Sequence, residues 1–338
     1  MGSFCKRSEA VQMRGEEVMM KWRGFLYGFS LTVLLVGVLS LPLSKLYAEG
    51  SYAQGSEKCQ SCHSAEHGVW EQTKHFASFR EAHKNPKAKD ILAAVGGSSN
   101  MKANETCTLC HYTMVRESAD AKAVAKSGTS CESCHGASSG WLSIHNDYGG
   151  PSINKGTETP EHKAKRIADA EAAGWIHSGN KYAIASNCMN CHGLAHPGLD
   201  ADKLAKMLGA GHPINPDFEL VRYSQGSVRH RFYPPDTTVN AEMTPPELAR
   251  MFVTGQAAKL VSATRAMSKS TDPAYQTAQK KRLEDSKAAL SAVKSIPEAA
   301  QLIANPTDEL AKKLVAAIAD KDLSSEVQSL LPDKASYK

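Results

Sequence analysis

The sequence predicts a mainly α fold in two parts: short helices and loops over residues 49–240, then an α-helical bundle over 241–338. Three observations predict it. The pentapeptide Cys-x-x-Cys-His occurs four times, as CQSCH (Cys59, Cys62, His63), CTLCH (Cys107, Cys110, His111), CESCH (Cys131, Cys134, His135) and CMNCH (Cys188, Cys191, His192). The chain between and after these motifs is broken by Gly-rich loops, GGSSN and YGGPSINKGTETP, which leave only short helical stretches. Beyond a Pro/Thr-rich join, FYPPDTTVNAEMTPPE, the chain turns Ala-rich and holds neither cysteine nor histidine.

Eight of the nine cysteines lie in the pentapeptides, and each second cysteine is followed at once by histidine. This is the attachment signature of c-type haem. The two thiols add across the two vinyl groups of one porphyrin, and the adjacent histidine becomes the proximal iron ligand. Zinc knuckles would not fix a histidine beside every pair. A thioredoxin-like site would show one Cys-x-x-Cys in a βαβ context. Disulfides between residues three apart would be strained and would leave the histidines unexplained. The sequence therefore predicts four haem c groups, with His63, His111, His135 and His192 as proximal ligands. At fewer than fifty residues per haem, the helices and loops must wrap around porphyrin, because so little chain cannot bury a large side-chain core.

Haem attachment of this type takes place outside the bacterial cytoplasm. Residues 1–48 read accordingly as a secretory signal: Lys21 and Arg23 precede the apolar run 25–44, Pro42 closes it, and Ala48 offers a small residue for cleavage. The alternative is an uncleaved anchor, since the run is almost long enough to span a bilayer. Export points to the periplasm, with membrane association only if the segment is retained. Cys5 precedes the apolar run and has no part in the scheme. Of the 40 Lys/Arg and 35 Asp/Glu, six and three fall in residues 1–48, which leaves +2 for the remainder. Two propionates per haem would bring roughly eight negative charges, so the basic balance is no sign of nucleic acid. No basic and aromatic interleaving of the kind a single-strand groove needs occurs either.

The bundle has legible helix starts. Thr244, Asp272 and Asn305 each precede a proline, the pattern of an N-cap followed by proline in the first helical position. Ser295-x-x-Glu298 reads as a capping box. Leu310, Leu314, Val315 and Ile318 form an apolar stripe at helical spacing, read as packed core.

Nine histidines lie outside the motifs, a surplus over the four sixth ligands required. His75 lies in VWEQTKHFASFREAHKNP (69–86), read as a helix ending before Pro86 with Trp70, Phe76 and Phe79 packing. His83, eight residues on, would sit about 80° further round and roughly 12 Å along it, so one helix could serve two haems. His145 follows the third motif too closely to reach its own haem easily and suits a neighbour. His212 ends a helical stretch, DADKLAKMLGAGHP, whose buried side is Leu204, Met207 and Leu208. The distal set is thus His75, His83, His145 and His212. His177, His196 and His230 are reserves, His67 is aimed at the proximal side, and His162 reads as solvated.

Residues 56–235 resemble the tetrahaem cytochromes of the cytochrome c-554 type. The similar residues are Trp70 and Thr-x-His in VWEQTKH after the first motif, GTSCESCHG (128–136) at the third, His145 about ten residues later, and a helix-borne histidine, His212, after the fourth. The resemblance implies His75, His145 and His212 as distal ligands and a soluble periplasmic electron carrier. In that family the second attached haem lacks a sixth protein ligand. Here His83 is expected to close it, and residues 241–338 extend beyond the family pattern.

The leading expectation is a carrier that passes electrons from a quinol-linked or periplasmic donor to a terminal reductase or oxidase. Bis-histidine ligation implies low reduction potentials. The alternative is a small multihaem oxidoreductase acting on a nitrogen or sulfur species at one open iron, although no Cys-x-x-Cys-Lys occurs. A third reading is a filament in which a spare histidine ligates the next subunit's haem.

Overall fold

The computed structural model describes residues 50–338 and is mainly helical. The leader reading of residues 1–48 lies outside the described residues. Among the described residues, no helix is long and apolar enough to cross a membrane.

The motif-bearing half is built from short helices: α1 (Glu57–Gln60), α2 (Ser64–Trp70), α3 (Lys74–Glu81), α4 (Ala88–Val95), α5 (Glu105–His111), α6 (Cys131–His135), α7 (Leu142–His145), α8 (Pro160–Ala172), α9 (Lys181–His192), α10 (Ala201–Gly209) and α11 (Leu220–Ser224). The predicted helix over 69–86 is in fact interrupted. Thr73 stops α2 by donating to the Trp70 carbonyl at 2.7 Å and starts α3 by accepting from the Phe76 N–H at 3.1 Å. A threonine hydroxyl offers the backbone this alternative to a helical bond. The linker between the second and third motifs forms an antiparallel hairpin of β1 (Thr113–Val115) and β2 (Val124–Ser127). It folds the chain back so that the Thr129 hydroxyl reaches the Cys110 carbonyl at 3.0 Å.

The C-terminal bundle comprises α12 (Pro245–Ala266), α13 (Pro273–Leu290), α14 (Pro297–Ala304), α15 (Asp308–Ala317) and α16 (Ser324–Val327). Thr244 and Glu247 cap α12 reciprocally, and Asp272 caps α13 through the Tyr275 N–H at 2.9 Å. Two expected caps differ. The N-cap of α15 is Thr307 rather than Asn305, because the Thr307 hydroxyl accepts from the Leu310 N–H. Ser295 does not box with Glu298; its hydroxyl and N–H go to Glu326, which reaches back from α16. The stripe of α15 is core as read, with Leu314 and Ile318 buried and Leu310 and Val315 packed against them.

The residue-240 join is not a gap in packing. One apolar core takes Tyr182, Ala185 and Met189 from α9, Phe218, Leu220 and Val221 from α11 and the residues before it, and the inner faces of α12 to α15. Tyr182 also donates to Asp308 at 2.6 Å, and Arg265 pairs with the same carboxylate.

Candidate haem-binding site

The third motif shows how local sequence builds the site. The Glu132 carboxylate, buried between the two motif cysteines, accepts the N–H groups of Gln54 (2.9 Å), Gly55 (2.7 Å) and Ser138 (2.9 Å). It thereby fastens the segment before the first motif onto the third. Gly128 and Gly136 flank the motif for steric reasons. A Cβ on Gly128 would lie 2.1 Å from the His75 carbonyl, and one on Gly136 would lie 2.2 Å from the Gly174 carbonyl. Gly136 also has φ of +87°, which an L side chain rarely adopts. The indole of Trp70 donates to the Thr129 carbonyl at 2.9 Å. Trp70 pins α2, Thr73 starts α3, and His75 is delivered in its first turn against the third motif.

Each motif histidine faces one further histidine ring. Centroid separations are 6.5 Å for His63 and His145, 6.2 Å for His111 and His212, 6.3 Å for His135 and His230, and 6.0 Å for His192 and His75. Two imidazole nitrogens each about 2 Å from one metal ion, with each centroid roughly 1 Å behind its nitrogen, put the centroids about 6 Å apart. All four pairs fit one intervening iron.

Protonation agrees with that fit. Burial pushes His111, His135 and His192 down to about 4, and the opposed ring adds to the shift in each case. Burial lowers His75, His145 and His212 as well. Neutral imidazole is the form that ligates metals. Four rings also have their tautomer set. Nδ1 of His135, His145, His212 and His230 lies 2.9, 2.6, 2.9 and 2.6 Å from the carbonyls of Ile176, Leu142, Pro213 and Val228. A carbonyl can only accept, so Nδ1 carries the hydrogen and Nε2 presents its lone pair.

The thiols show how the attachment points are arranged. None of the eight motif cysteines is in a disulfide. Cys59 lies beside Cys131, and Cys110 beside Cys191; in each pair the partner thiol pushes one up and the other down. Burial raises Cys134 to about 11, with the neighbouring Cys191 adding to it, and Cys188 rises for the same reasons. The spatial order of attachment points is therefore first, third, fourth, second. No three His, Cys, Asp or Glu side chains converge among the described residues, as a multi-ligand zinc site would require.

Residues 58–136 match the protein family described as cytochrome c554 and c-prime. Over those residues the chain is similar to c-type cytochromes of the c554 type. The match supports a c-type cytochrome in electron transfer with covalently bound haem c. No curated protein and no solved structure matches it. The family match takes in the first three motifs of the cytochrome; the fourth motif and the bundle lie beyond it.

Three of the distal histidines read from the cytochrome's sequence, His75, His145 and His212, face motif histidines. His83 does not: it is exposed in a 3-10 turn (Ala82–Lys84) past the end of α3. The tightened turn at Ala82 ends the regular α-helix that His83 needed. Its place is taken by His230, which had been a reserve. His230 stands in a loop after α11 that Asn240 and Glu247 hold through Arg229 and Arg231. No local pattern around His230 announces this; the loop is fixed by residues of the join and of α12. Of the other histidines, His67 is buried beside Trp70, and His162 bonds Glu158 at 2.8 Å rather than standing free in solvent.

Proposed function

We propose that this cytochrome carries four haem c groups, each bound by one Cys-x-x-Cys-His motif and ligated on both faces by histidine. The pairs are His63 with His145, His111 with His212, His135 with His230, and His192 with His75. The bundle, without histidine or cysteine, supplies no ligand. The function is outer-sphere electron transfer, and the order of attachment points supports a path running first, third, fourth, second haem. The observation that carries the carrier reading over the oxidoreductase reading is the facing ring at every motif histidine. An iron with two imidazoles has no coordination site left for a nitrogen or sulfur substrate.

The chain works outside the cytoplasm, in the periplasm, after removal of residues 1–48. A quinol-linked or periplasmic donor supplies electrons, and a terminal reductase or oxidase takes them. Intact mass of the exported protein tests the count, since fewer than four haem increments after full maturation overturns it. Electron paramagnetic resonance of the oxidised protein tests the ligation. Low-spin signals alone are expected, and a stoichiometric high-spin ferric signal would return the second haem to the open state of the family and favour the oxidoreductase.

A further inference from the structure

The loop leaving the fourth motif is gripped by one face of α13. Tyr275, Gln279 and Arg282 stand at i, i+4 and i+7, on one side of that helix. The Tyr275 hydroxyl donates to the Leu194 carbonyl at 3.0 Å, and the Gln279 amide donates to the Gly193 carbonyl at 2.9 Å. Arg282 lies deepest. Its side chain is 1% exposed, and its guanidinium reaches Gln279 Oε1 (2.5 Å), Met189 Sδ (3.4 Å) and Ser262 Oγ (3.2 Å). Its Nε has no partner, and no carboxylate among the described residues pairs with it. Burial brings it down to about 10, which still leaves it charged at neutral pH.

A buried guanidinium facing an amide, a thioether and a hydroxyl is an expensive arrangement unless its charge acts on something. It packs against the carbonyl end of α9, where a Cβ on Gly193 would lie 2.5 Å from Nη2. That end of α9 is His192, the iron-binding residue of the fourth motif. Helix carbonyls attract the cation in part. They do not explain why a full charge is placed there instead of a neutral cap. Lys259, also buried, lies near Arg282, with Asp285 and Glu219 countering its charge.

We propose that Arg282 sets the reduction potential of the fourth haem: its unpaired charge against the carbonyl end of α9, the helix that ends at His192, favours the ferrous state and makes this site the electron sink of the chain. Reduction adds one electron to ferric iron with no bond made or broken, so a fixed cation nearby stabilises the product relative to the reactant. Water-excluded surroundings strengthen the interaction. The proposal rests on the reading that the fourth motif carries a haem.

The test is a dithionite redox titration of the full-length holoprotein, with haem content measured by intact mass in parallel. Arg282→Met keeps bulk and removes charge. It is expected to lower one potential and leave three, while Arg282→Lys stays close to wild type. Gln279→Glu keeps the guanidinium in place and gives it a counter-ion, so it lowers the same potential even if Arg282→Met fails to mature. His75→Ala, which opens the fourth iron to carbon monoxide, identifies the component concerned. Unchanged potentials in a haem-replete Gln279→Glu or Arg282→Met protein overturn the proposal, as does an equal shift in Arg282→Lys. A wild-type mass lacking one haem strikes the underlying reading instead.

Discussion

At the residue scale, the haem proposed at the first motif would depend on Arg166, which faces neither His63 nor His145 with its side chain but fixes the His145 backbone. Arg166 makes a two-point pair with Glu158, at 2.7 Å for each nitrogen, and donates a third hydrogen bond to the His145 carbonyl at 2.5 Å. The pair fixes the backbone that aims the His145 ring at His63. Arg166 holds Glu158 at about 2, well below its ordinary 4.5. For a carboxylate so depressed, the contribution to stability is complete above the unfolded value near 4.5 and is lost as pH falls through 2. Acid titration of the holoprotein should therefore weaken the hold on His145 progressively between about pH 4.5 and 2, read as loss of low-spin character in the Soret band of one haem. Glu158→Gln removes the charge at every pH and leaves Arg166 buried without its partner. It is expected to make one haem partly high-spin at neutral pH and reactive to carbon monoxide when reduced. An unchanged spectrum would mean that α7 holds His145 without help. A second residue-scale prediction separates His83 from His230. His230→Ala should open one of the haems to carbon monoxide, whereas His83→Ala should leave the optical and magnetic spectra as in wild type, since His83 is exposed and faces no motif ring. The reverse result would move the sixth ligand back to α3.

At the scale of elements, each facing pair joins two segments, and the angle between the rings records how those segments meet. His63 and His145 are 26° apart, close to parallel, whereas His135 and His230 are 84° apart, close to perpendicular; the other pairs fall between at 57° and 61°. Parallel imidazoles split the iron d orbitals by adding their π-donation along one axis, and perpendicular ones cancel it. The oxidised protein should thus give both a well-resolved rhombic low-spin signal and a strongly anisotropic one with a large leading g-value. Four identical rhombic signals would show that the ring planes rearrange around haem. The same elements show what could be read beforehand. His75, His145 and His212 stood out because each lies beside a pattern with local meaning: Trp70 and Thr-x-His after the first motif, a motif close by, an amphipathic helical stretch. The hairpin was not legible, because TMV and VAKS are too short to show alternation. His230 was not legible either, because its position is set by Asn240 and Glu247, contacts made only after the bundle has docked. Local chemistry is written in local sequence, and long-range docking is not.

For the whole molecule, the absence of histidine and cysteine beyond residue 240 predicts from sequence alone that a chain ending there, if it folds, keeps its haems. The packing predicts otherwise. Tyr182, Met189, Phe218, Leu220 and Val221 are all buried in the core that α12 to α15 complete. Uncovering such side chains costs about 1.5–3 kcal/mol each, so five together approach the roughly 5–15 kcal/mol by which a domain is stable at all. A chain ending at residue 240 would expose the back of α9, release the α13 clamp on Gly193 and Leu194, and free the loop that carries His230 from Glu247. The fourth and third haems should suffer first. Expressed with its leader, the truncated protein is expected to mature with fewer haems or to be degraded, as intact mass and haem staining will show. Full haem content with four low-spin irons in the truncated protein would mean that porphyrin alone organises the first 240 residues, and that the bundle is an addition with a task of its own.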